Sequence, residues 1–274
     1  MLLRLHGYRP LVFVGLLLAF SVAHADLRVT GSSTILPVVK RATVEFSLMT
    51  GIRVHVSGGG SGHGVKSVGN GSAHIGMVSR ALHPDEARHL VATPIGLDGV
   101  AVFVHERNAI QELKRDQVAG IYSGRIGHWR DLGPGTIDGR VERVGKLHGR
   151  STRELFDGFF GLSGREYPPG THLIGANVAG ILYVSIDPMA VGYVSAGSLT
   201  HAIRQGAPIR PLPIDGVEPT ERNMVNGRYP YVRPLNLVTR GAPQGEARRF
   251  IDWMKGEAGQ HAVRVDGFQP VANR

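Results

Sequence analysis

The chain has 274 residues and a mass of 29.5 kDa, with 42% hydrophobic and 19% charged residues, 38 glycines and no cysteine. That composition excludes a disordered or collagenous chain, a disulfide framework, thiolate catalysis and any cysteine metal site. The formal charge is +9. The basic residues are scattered, with no run of five and no basic helix face interleaved with aromatics, which argues against a nucleic-acid partner.

Arg4 and Arg9 precede an apolar run from Leu11 to Phe20, which ends at Ala23-His24-Ala25. A basic start, a short apolar middle and a small-x-small end describe a secretory signal peptide over residues 1–25, cleaved before Asp26. The run is too short for a confident membrane span. These 25 residues hold two arginines and no acid, so the mature chain keeps a charge of +7.

From Asp26 onward, strands and helices alternate. Leu27–Thr30 reads as a strand and Gly31-Ser32-Ser33-Thr34 leads into a helix. The helix carries Ile35, Val38, Val39, Ala42, Phe46 and Met49 on one face and ends at a Gly51 cap. Ile52, Val54 and Val56 alternate as a strand, followed by the loop Gly58–Gly62 and a short helix over His63–Val68. Ile75–Val78 is a strand, Pro84-Asp85-Glu86 is expected to open a helix, and Val100–Val104 is a buried strand. The middle repeats the theme, with strand Arg140–Gly145, loop Gly149–Thr152 and a helix bearing Leu155, Phe156, Phe159 and Phe160. Ala190–Val194, Ile209–Leu212 and Leu235–Thr239 are further strands, and Glu246–Lys255 is a helix. The alternation predicts an α/β protein, its sheets mixed and mostly parallel with flanking helices, in two lobes joined by crossing strands.

Three hydroxyl- or glycine-rich loops each precede a helix: Ser32-Ser33-Thr34, Gly60-Ser61-Gly62 and Arg150-Ser151-Thr152. Helix N-termini carry unpaired N–H groups and a partial positive charge. One such loop alone is equally an N-cap. Three at the carboxyl ends of strands in one α/β chain form a cradle for a tetrahedral oxyanion. Arg80, after strand Ile75–Val78, offers a fork for two oxygens, or is simply a surface arginine. Asp98 is either a turn aspartate or an acceptor for the remaining proton of hydrogen phosphate, which sulfate lacks. There is no G-x-S-x-G elbow, P-loop, G-x-G-x-x-G or H-E-x-x-H, so neither a metal nor a cofactor is expected.

These motifs, in their order, resemble the phosphate-binding subunit of bacterial phosphate ABC importers, within the type II periplasmic binding proteins. The resemblance rests on Gly31–Pro37, Ser61-Gly62-His63-Gly64, Ile75–Arg80, Ile121–Ile126 with Trp129, Val191–Ser195, Asn226–Pro230 with Arg233-Pro234-Leu235, and Phe250–Asp252 with Gly259-Gln260. It implies two lobes, 26–103 plus 234–274 and 104–233, with the anion in the cleft between them. The candidate ligands it implies are Ser33, Thr34, Ser61 and Arg80 from the first lobe and Ser151 and Thr152 from the second. Asp98 and Arg150 complete the candidate set. The third loop departs from the family pattern: Arg150 replaces a serine, Ser151 replaces a glycine, and Lys146 stands where the family has an arginine. Glycine to serine at 151 strains that turn if its backbone needs positive φ.

The expected activity is capture of inorganic phosphate, or a related oxyanion, by a monomeric periplasmic protein. It would deliver the anion to an inner-membrane ABC permease without covalent chemistry. The alternatives are a secreted phosphatase or esterase built on Ser61 near His63, and a sensor or adhesion protein that kept the fold.

Overall fold

The computed structural model describes residues 26–271, and the expected signal peptide lies outside them. Alternating strands and helices dominate the first half. In chain order they are β1 (Leu27–Gly31), α1 (Leu36–Thr50), β2 (Val54–Ser57), α2 (Ser61–Gly69), β3 (Ile75–Val78) and β4 (Leu90–His105). The middle contains α3 (Arg115–Ser123), β5 (Glu142–Lys146), α4 (Ser151–Phe160), β6 (His172–Ile174), α5 (Asn177–Ile186), β7 (Ala190–Ser195) and α6 (Ala196–Arg204). The chain closes with β8 (Ile209–Pro211), α7 (Glu221–Val225), β9 (Val232–Arg240), α8 (Gly245–Lys255), α9 (Glu257–Val265) and β10 (Gln269–Pro270).

The strands lie in the order β2-β1-β3-β9-β4-β7-β5-β6, with β8 and β10 also on β4. The trio β2-β1-β3 is parallel, as is β6-β5-β7. The long strands β4 and β9 join the trios and pair antiparallel with each other and with their neighbours. The chain must return through them to pass between the two halves.

Two large hydrophobic cores result, with a smaller cluster of Val68, Ala73, Val78, Leu90 and Val238 beside them. The first gathers Val29, Val38, Phe46, Ile75, Ile95, Leu235, Phe250 and Val263 under α1, α8 and α9. The second gathers Val102, Ile121, Trp129, Val144, Phe156, Val184 and Tyr193 under α3, α4 and α5. β4 belongs to both, with Ile95 in one core and Val100–Val104 in the other. The crossing strands and the residues between the halves are left to position the site.

Gly51 caps α1 at φ 72°, its N–H bonded to Ser47 O, as expected. The helix expected from Pro84 is instead a single 3-10 turn over Glu86–Arg88. The Glu86 carboxylate is drawn back onto Arg80 and the His83 N–H, and the chain enters β4 at Leu90.

Candidate functional site at the seam between the halves

α1, α2 and α4 direct their N-terminal ends toward the seam between the two cores. Four serines meet there. Ser79, immediately after β3, has its Oγ 2.8 Å from Ser32 Oγ, 2.7 Å from Ser151 Oγ and 3.4 Å from Ser61 Oγ. Ser61 Oγ donates to Ser151 Oγ at 2.9 Å and accepts from the Ser79 N–H at 3.1 Å. All four residues are at most 3% exposed. Ser151 comes from the second half and the other three from the first, so the cluster spans the seam. The Gly62 N–H also reaches Gly149 O across it, at 3.4 Å.

A second layer surrounds Arg233. This residue is the register partner of Asp98 on the crossing strands and is 1% exposed. Its Nε and Nη2 donate to Asp98 Oδ2 at 3.0 and 2.7 Å, while Asp98 Oδ1 accepts the Gly197 N–H. The remaining donors reach both halves: Nη1 to Thr152 Oγ1 at 2.8 Å and Nη2 to Thr34 Oγ1 at 3.1 Å. Asn177, at the start of α5, donates to Thr34 Oγ1 and Ser198 Oγ and accepts from Lys146 Nζ at 2.9 Å. Burial, with Arg233 and Arg150 adding to it, pushes the Lys146 ammonium down to about 7.

Of the candidate residues, the structure brings Thr34, Ser61, Asp98, Ser151 and Thr152 together in these two layers. Ser33 stands outside them, half-buried, and its neighbour Ser32 is the residue that turns inward. Arg80 is buried, but its fork is spent within the protein. Nη1 and Nη2 clasp Glu86 at 2.7 and 2.8 Å, and Nε reaches Glu154 across the seam at 3.1 Å. Burial works against the charge of Arg80, yet Glu86 and Glu154 hold its pKa above the ordinary value. The arginine expected to grip an anion is therefore held by two carboxylates.

Arg150 is half-buried and lies along the mouth of the seam. A Cβ on Gly60 would fall 2.9 Å from its Cδ, and one on Gly175 would fall 3.1 Å from its Nη2. Gly60 sits at φ 98°, which lets the α2 loop pass this close. In the facing loop Gly149, at φ 73°, takes the left-handed turn, whereas Ser151 begins α4 without positive φ. The serine at 151 is therefore unstrained.

The residues that sequence reasoning left out of the candidate set are Ser32, Ser79, Lys146, Asn177 and Arg233. All except Asn177 lie inside or beside motifs already singled out, but neither spacing nor residue type shows which side chain of a turn faces in. His63 does not pair with Ser61. It is exposed on α2, and its Nε2 lies 3.4 Å from Ser67 Oγ. Among the described residues no group of three or more His, Cys, Asp or Glu could hold a metal ion.

Two α/β cores linked by crossing strands, with hydroxyls, helix N-termini and buried cations meeting at the seam, define a two-lobed solute-binding protein. Residues 19–257 match the model of the PBP superfamily domain, and the chain belongs to that superfamily of binding proteins. The phosphate-binding protein PstS of Bacillus subtilis is 28% identical over 256 residues, covering 92% of this chain and 82% of that protein. The phosphate-binding protein PstS of Pseudomonas aeruginosa PAO1 is 25% identical over 270 residues, covering 90% and 83%. Among solved structures, one assigned as a phosphate ABC transporter substrate-binding protein from Clostridium perfringens, with bound phosphate, matches with a TM-score of 0.83 and 26% identity. It covers 90% of this chain and 100% of that one. An ABC-type phosphate transport receptor from Vibrio cholerae shares the fold at a TM-score of 0.73 and 24% identity, covering 90% and 100%.

Proposed function

We propose that this chain is the phosphate receptor of an ABC importer. It captures inorganic phosphate in the seam by closure of two lobes, 26–103 plus 234–274 and 104–233, and hands it to an inner-membrane permease. The observation that carries the reading is the cluster of Ser32, Ser61, Ser79 and Ser151, drawn from both halves and backed by Arg233, Thr34 and Thr152. The names of the relatives and of the phosphate-bound neighbour support the same ligand.

The chemistry follows from the donors. Hydroxyls can rotate to donate to an oxyanion, and helix N-termini add N–H groups and favourable dipoles. Each hydrogen bond to a charged group contributes about 1.5–3 kcal/mol. At separations of 2.7–2.9 Å the serine oxygens are in direct contact, so their hydroxyls must turn from one another to an anion seated among them. Bound there, it bridges both lobes and shifts the open–closed equilibrium toward closure. Asp98, whose Oδ1 holds the Gly197 N–H and whose Oδ2 holds Arg233, is the proposed acceptor for the proton of hydrogen phosphate. Sulfate brings no such proton and leaves that acceptor unpaired.

The N-terminal 25 residues would send the chain to the periplasm, where it would act as a monomer. No helix among the described residues is long and apolar enough to cross a membrane. Isothermal titration of phosphate-stripped protein with phosphate, arsenate and sulfate tests the reading. One site for phosphate and arsenate, with much weaker heat from sulfate, is expected. No heat from any of the three overturns it.

A further inference from the structure

Lys146 ends β5 with its side chain 1% exposed. Of the other buried cations, Arg233 has Asp98, Arg80 has Glu86 and Arg153 has Asp157, while Arg143, near the start of β5, places its donors on the Ile121 and Ile126 carbonyls. Among the described residues no carboxylate lies within ion-pair distance of Lys146 Nζ. Its protein acceptor is the neutral Asn177 Oδ1 at 2.9 Å. An ammonium has three donors to place, so this one is left short of both charge and acceptors.

Its position ties it to the phosphate seam. The amide that receives Nζ donates from Nδ2 to Thr34 Oγ1 at 3.2 Å, and Thr34 Oγ1 also accepts from Arg233 at 3.1 Å. One amide therefore separates Nζ from the residues proposed to hold the anion. Arg233 faces it from β9 and Arg150 from the loop before α4. The Tyr193 hydroxyl of β7 accepts the Lys146 N–H, and Arg153 of α4 donates to Lys146 O. The charged groups among these are cations, so the surroundings add to the cost of a second buried positive charge. Such a group either gives up its proton or acquires a counter-ion.

We infer that capture of the anion at the proposed phosphate site is coupled to uptake of a proton at the Nζ of Lys146. This rests on the phosphate reading above. The proton comes from solvent and the anion supplies the missing counter-charge. The fully charged cleft then suits the dianion. An arginine at this position would stay charged with or without ligand and would take up nothing. Burial and the neighbouring arginines push the Lys146 ammonium down to about 7, and the counter-charge of a bound anion would raise it. Above neutral pH, up to the raised value, affinity falls by as much as tenfold per pH unit relative to a fixed-charge variant.

The test uses the full chain labelled with 13C-lysine, titrated by NMR from pH 6 to 10 with and without saturating phosphate. One lysine resonance, missing from Lys146→Arg, should titrate near neutrality without phosphate and move up by a unit or more with it. Calorimetry in two buffers of different ionisation enthalpy should show more protons taken up per phosphate by wild type than by Lys146→Arg. If Lys146→Arg does not fold, the wild-type spectra decide alone. Phosphate heat with no lysine titrating near neutrality, or with a titration that phosphate leaves unmoved, overturns the coupling but not the phosphate site. Absence of phosphate heat overturns the site and the coupling with it.

Discussion

Ser79 touches three other hydroxyls, and its own N–H is taken by Ser61. It packs no charge and fills little volume, so Ser79→Ala should leave the fold intact while removing one donor to the anion. The expected loss is about 10–100-fold in phosphate affinity, from about 1.5–3 kcal/mol per charge-assisted bond, with little change in Tm. Asp98→Asn should lose stability as well as affinity. It strips the counter-charge from a fully buried Arg233, which costs about 3–5 kcal/mol of stability and should lower Tm by many degrees. Parallel calorimetry and thermal melts separate the two, and a Ser79→Ala protein with unchanged affinity would remove Ser79 from the site. The limits of the sequence are clearest at this scale. That Thr34, Ser61, Ser151 and Thr152 would converge was legible because three hydroxyl-bearing loops each precede a helix at a strand's carboxyl end, where one alone would be only an N-cap. Ser33 was chosen over Ser32 because residue type does not say which side chain a turn points inward. The clasp of Arg80 on Glu86, six residues on, was not legible because that turn was read as part of a helix.

The loops before α2 and α4 face each other across the seam, with Gly60 beneath the Arg150 side chain and Gly62 bonded to Gly149. Gly60→Ala places a Cβ 2.9 Å from Gly149 O at a φ of 98°, so it strains the closed arrangement more than an open one. That strain, of order 1–3 kcal/mol, should appear as roughly a 5- to 100-fold faster release of phosphate in stopped-flow displacement. An unchanged release rate would mean that the two loops do not meet in the bound state. Elements with a clean period were readable in advance, including α1, α4, α8, β3 and β7. β4 was read only over its continuous apolar end, Val100–Val104. Its first half carries Pro94, Gly96 and Gly99 and a register shift between Pro94 and Gly96, so no alternation marks it. α5 was missed for the opposite reason. It is apolar nearly all round, with Val178, Leu182 and Ile186 exposed on its outer face, and so shows no amphipathic stripe.

At the scale of the molecule, two cores share the crossing strands β4 and β9, and the Asp98–Arg233 pair lies on that crossing. The two-lobe plan was legible from the strand–loop–helix alternation, whereas the bounds of the lobes came from the family resemblance. The antiparallel return of β4 and β9 was not legible, because pairing partners far apart in sequence leave no local period. On the proposed reading binding and closure are one event, since the donors belong to different halves and would reach one anion together only when the seam is shut. The absence of cysteine allows a direct reading of that event. Leu48 on α1 and Leu182 on α5 are 82% and 60% exposed and sit on opposite cores, so cysteines placed there accept a fluorophore pair without disturbing either. Phosphate should change the energy transfer between them along a one-site curve, and Ser151→Ala should shift that curve to higher concentration. A distance that stays constant while phosphate binds, or a curve that Ser151→Ala does not move, would contradict capture between the two halves.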